Sequence, residues 1–112
     1  MKKIVIKLQI EGVHSWPTCP IEEVEFLKYE HRHIFHIRIE KEVKHNDRDI
    51  EIIQFKRHIE RLFTNRFYNY DRMCCYFGPW SCEDIAEWIL KEFDLDSVEV
   101  LEDNENGAII TR

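Results

Sequence analysis

The sequence predicts an α+β domain, a ββααββ antiparallel sheet with two helices on one face. Three observations carry this. Two N-terminal stretches alternate apolar and polar residues with the period of half-buried strands. Two later stretches space their apolar residues as amphipathic helices do. A strand pair with a turn signal closes the chain. Strands and helices come in runs rather than in strict alternation, which favours an antiparallel sheet with its helices segregated.

Each element has its own signature. Ile4, Ile6, Leu8 and Ile10 alternate with Lys3, Lys7 and Gln9, giving a first strand with one buried face. Residues 12–20 hold Gly, Ser, Thr and two Pro and read as a loop. His33 to Val43 reads as the second strand, with Phe35, Ile37 and Ile39 on one face and Ile34, His36 and Arg38 on the other. Asn46-Asp47 marks a turn. Ile50 to Phe63 carries Ile52, Ile53, Phe55, Ile59, Leu62 and Phe63 at helical spacing. Thr64 to Tyr76 is aromatic and polar without a period and reads as an ordered loop. Ser81, followed three residues on by Asp84, is an N-cap signal for a second helix that runs to about Glu92. Val98, Val100 and Glu102 form a third strand, Asn106-Gly107 a turn, and Ala108 to Thr111 a fourth strand. There is no internal repeat or linker, so the whole chain, 1–112, reads as one domain.

The bulk numbers narrow the function classes. With 44% apolar and 34% charged residues the composition is globular. A net charge of −6 argues against nucleic acid or an anionic membrane as partner, since both select basic surfaces. No apolar run approaches the roughly 20 residues of a membrane span, and the N-terminus reads as a strand rather than a signal peptide. Cys19, Cys74, Cys75 and Cys82 form no spaced framework, so free thiols in a cytoplasmic setting are expected.

Chemistry centres on the histidines. The H-x-H pair His31 and His33 lies on a strand, whose period of two sends both side chains to one face. A third imidazole, His14, near the end of the first strand would complete a three-histidine metal site with one open position. The same residues also suit exposed or hydrogen-bonded histidines in a histidine-rich segment. Glu102, late in the third strand, suits a carboxylate that accepts the N–H edge of a guanine-like ring, and equally a solvated strand-end acid. Trp16, Trp80, Phe67, Tyr68 and Tyr70 can stack on a planar ligand or fill core and interface. No phosphate loop or Ser/His/Asp arrangement is present.

Taken in order, these features resemble the 6-pyruvoyl-tetrahydropterin synthase and 6-carboxytetrahydropterin synthase family. The segment from His31 to Ile39 resembles its H-G-H motif and following strand. Ser81 to Ile89 resembles its T-S-E-N helix start, and Val98 to Glu102 its V-x-V-x-E strand. The resemblance spans nearly the whole chain and implies the tunnelling fold, with a barrel completed by oligomerisation as a trimer-based homo-oligomer, often a hexamer. It implies Zn2+ on His14, His31 and His33, a pterin or purine-like small molecule held at its ring edge by Glu102, and cover from aromatic residues near Tyr68.

The family's catalytic residues have no match. Leu27 stands where the catalytic cysteine would be, Thr64 and Asn65 where the Asp-His pair would fall, Gln54 where Asp opens the first helix, and Arg32 in the middle of H-x-H. The resemblance therefore implies ligand binding, with sequestration of a purine-like nucleotide as one form of it, more than turnover, because Thr64 and Asn65 offer no base near neutral pH. Two other readings stay open. One is an active lyase on 7,8-dihydroneopterin triphosphate that uses His36, His45 or His58 as base, or Cys74 or Cys75 as substitute thiol. The other is a metal-free structural or protein-interaction domain.

Overall fold

The structure, a computed structural model, describes residues 1–112. Strand β1 runs over Lys2–His14 and β2 over His31–Val43. They pair antiparallel along their full length, from Lys2 opposite Val43 to His14 opposite His31. Both strands are longer than the alternation suggested. β1 takes in Gly12 to His14, so His14 is the last residue of the strand rather than part of a loop. A short 3-10 segment, Glu22–Lys28, bridges the two strands.

Helix α1 covers Ile52–Phe67 and α2 covers Cys82–Glu92. In α1 the buried residues Ile59 and Phe63 lie one turn apart, on the face turned to the sheet. In α2 the same role falls to Ile85, Ala86 and Ile89. All five share one core with Ile6 and Leu8 of β1 and with Phe35, Ile37 and Ile39 of β2, so both helices cover the same sheet face. β5, Ser97–Glu102, adds Val98 and Val100 to that core and pairs antiparallel with β2. β6, Asn106–Thr111, closes that edge.

Two expectations are corrected. Residues 64–76 are not a loop: α1 continues to Phe67, then come β3, Tyr68–Asn69, and β4, Cys74–Gly78. The sheet therefore has six strands in the order β3-β4-β1-β2-β5-β6, and β4 runs parallel to β1. The physical reason is that Cys74, Cys75, Phe77 and Gly78 are all buried, so no period-two pattern announces the strand. The final turn is also displaced. Asp103 and Asn104 take the left-handed conformation, at φ 54° and 60°, which Asp and Asn tolerate better than most residues. Asn106 and Gly107 already belong to β6. Gly107 serves a different need, since a Cβ there would meet the Val100 carbonyl oxygen at 1.8 Å.

The cap of α2 forms as expected and more fully. The Ser81 hydroxyl accepts from the Asp84 N–H at 3.1 Å, and the Asp84 carboxylate accepts from the Ser81 N–H at 3.0 Å. All four cysteines are free and buried. No helix is long and apolar enough to cross a membrane.

Candidate metal centre and adjoining cavity

The three predicted histidines come together because of strand register. His14 and His31 are direct cross-strand partners, and His33 lies two residues further along β2, opposite Gly12. Their side chains share the face that carries Phe35 and the helices. The ring centroids lie 4.5 Å apart for His14 and His31, 5.4 Å for His14 and His33, and 5.1 Å for His31 and His33. One ligand atom from each lies within 4.8 Å of the others, so the three could hold a metal ion.

The second ring nitrogens are all occupied. Nδ1 of His14 lies 2.8 Å from the Trp80 carbonyl, and Nδ1 of His31 lies 2.8 Å from the Tyr29 carbonyl. Nδ1 of His33 lies 2.7 Å from a carboxylate oxygen of Asp103, whose other oxygen accepts from the Ile34 N–H. Each of these partners is an acceptor, so Nδ1 donates in every ring. The Nε2 lone pairs are thereby left for a metal, with the ring orientations set from outside.

Nε2 of His14 and Nε2 of His33 are buried and have no hydrogen-bond partner. Oε2 of Glu102 comes within 3.0 Å of the first and Oε1 within 3.6 Å of the second, yet neither approach has hydrogen-bond geometry. In neutral rings these nitrogens turn lone pairs toward a carboxylate. A buried polar group left in that state costs about 1–3 kcal/mol. Either an added proton or a bound cation relieves it, so the donor set fits a metal ion.

The electrostatics of the metal-free site follow these contacts. His14, whose proximity contributes most, and His33 hold the Glu102 carboxyl below its usual range, against the opposing effect of burial. Burial alone would lower His14, but the Glu102 carboxylate and the Trp80 carbonyl together raise it above its ordinary value. His31 is lowered, first by burial and then by the neighbouring imidazoles. Asp103 is lowered, mainly by the His33 ring. The Cys82 thiol, 3.7 Å from Glu102 Oε2, is pushed up to about 12 by burial and by that carboxylate.

A cavity of about 520 Å³ opens beside the cluster. Its walls include His14, His31, Glu102, Trp16, Trp80 and Leu27. Leu27 therefore stands at the site as an apolar wall. Thr64 and Asn65 lie instead on the exposed face of α1, beside Arg57 and Arg61. Tyr68 does not reach this cavity; it sits on the edge strand β3 against Tyr70, at 5.1 Å between ring centroids. His36 lines a separate depression with Lys7 and Arg38, His45 faces Asp49, and His58 packs on Phe93. The sequence reasoning missed Asp103 and the carbonyls of Tyr29 and Trp80. Asp103 was traceable as the residue after Glu102, but backbone carbonyls leave no sequence signal.

No family model matches the chain, and no curated protein matches it. Among solved structures it is similar to an uncharacterized protein from Wolinella succinogenes, with a TM-score of 0.69, 13% sequence identity, and coverage of 99% of this chain and 98% of that one. That likeness establishes the α+β fold, a six-stranded, mostly antiparallel sheet backed by helices, over the full length of the chain.

Proposed function

We propose that the chain is a zinc-dependent binding protein for a pterin- or guanine-type ring, derived from the 6-pyruvoyl-tetrahydropterin and 6-carboxytetrahydropterin synthase family. The observation that carries this is the pair of orphaned, buried Nε2 atoms of His14 and His33 in a three-histidine cluster beside an aromatic-walled cavity. His14, His31 and His33 would hold the ion, which when bound supplies a Lewis-acidic point for ligand oxygens. Trp16 and Trp80 offer flat apolar surface for a ring. Glu102, in the same wall, is the carboxylate suited to the ring's N–H edge.

Binding rather than turnover is the reading favoured, because Leu27 supplies no thiol and none of His36, His45 or His58 lines the cavity. Assembly into a trimer-based homo-oligomer, in a cytoplasmic setting, belongs to the same proposal. Support for assembly comes from the uncovered sheet face, where Val5, Ile34 and Ile109 are exposed among charged residues, and from two open sheet edges.

Elemental analysis of untagged protein tests the metal directly, beside a His31→Ala, His33→Ala variant. Near-stoichiometric zinc that the variant loses is the expected result. Absence of metal from both proteins, even after zinc is added, would remove the basis of the proposal.

A further inference from the structure

The cavity wall has a charge pattern of its own. Glu83, Asp84 and Glu102 are among its 14 residues, and none of the 14 is Lys or Arg. The N-terminus of α2, which borders the cavity through Ser81 and Cys82, would ordinarily attract an anion. Here it is already served: the Asp84 carboxylate accepts from both the N–H and the hydroxyl of Ser81. Even with a dication on the imidazoles the wall keeps an excess negative charge. Apart from the ion itself, phosphate recognition draws on guanidinium or ammonium groups, and the wall offers neither. Trp16 and Trp80 beside carboxylates instead form an environment that accepts a neutral or cationic ring.

Resting on the binding function proposed above, we infer that the cavity takes a non-phosphorylated planar heterocycle, of the nucleoside or free-base class, and rejects the phosphorylated form of the same ring. The discrimination comes from Glu83 and Asp84 at the α2 end of the cavity, where a phosphate on the ligand's tail would meet them.

The test is calorimetric titration of zinc-loaded full-length protein with guanosine and with guanosine 5′-monophosphate, with zinc content measured on the same sample. Guanosine is expected to bind at least about tenfold more tightly, a gap that arises from charge repulsion and so narrows as salt rises. Glu83→Gln narrows it further by improving binding of the monophosphate. Equal or tighter binding of the monophosphate, or a gap insensitive to both salt and Glu83→Gln, overturns the inference while leaving the metal site standing. Failure of both probes on zinc-loaded protein overturns the inferred ligand class. Failure of the protein to take up zinc is read separately and strikes at the binding function itself.

Discussion

Zinc should stabilise this protein by an amount that depends on His31 and His33. A ligand that binds only the folded state adds about 2.7 kcal/mol when present at roughly 100 times its dissociation constant. In a chain of 112 residues, each kcal/mol moves the melting temperature by about 4 °C. The expected rise is therefore about 10 °C. The His31→Ala, His33→Ala variant should show no such rise. Its own metal-free stability should change by no more than about 1–2 kcal/mol, because loss of the orphaned His33 nitrogen offsets part of the lost packing. Differential scanning calorimetry with zinc, and again with excess chelator, reads both quantities. If zinc raises both proteins equally, or raises neither, the argument from the unpartnered nitrogens is refuted.

Other expectations concern the same neighbourhood. In metal-free protein Glu102 is lowered from 4.5, so its contribution is present above about 4.5 and lost as pH falls through the folded value. His14 is raised from 6.5, so its contribution is full below about 6.5 and lost as pH rises through the folded value. The pair should therefore stabilise the metal-free chain most between these limits, and Glu102→Gln should flatten the dependence of melting temperature on pH; an unchanged profile would contradict the pairing. Gly12→Ala should destabilise by about 1–3 kcal/mol in urea unfolding, since its Cβ would lie 2.5 Å from Phe77 Cε2 beneath the site. An unchanged midpoint would show that Phe77 can move aside. Ser81→Ala should cost about 1 kcal/mol through loss of the α2 cap, readable in the same assay as a lower midpoint with an unchanged slope.

Much of the site was legible because it depends on local periodicity. Phe35, Ile37 and Ile39 announce which face of β2 is buried, and the same period carries His31 and His33 to that face. The serine and acid at the start of α2 announce its cap from a spacing of three. Asn106-Gly107 misled because two different demands call for the same residues. The left-handed turn falls on Asp103 and Asn104, while Gly107 answers a backbone close approach. Tyr68 illustrates another limit, for it sits on the edge strand β3, at least two strands away from the β1 and β2 ends that carry the histidines.

By itself, the sequence determined the α+β class, the two long strands, the buried face of α2 and the three histidines as a candidate ligand set. Each of these depends on residues a few positions apart, where backbone geometry alone relates side chains. The tertiary structure alone decided that β4 inserts parallel beside β1, which lets the Trp80 carbonyl meet His14 across 66 residues of chain. It alone brought Glu102 to His14 and His33, and Asp103 to His33 across 70 residues. Such contacts depend on which strand edges become neighbours, and that choice is made by burial of the whole core rather than by any local pattern.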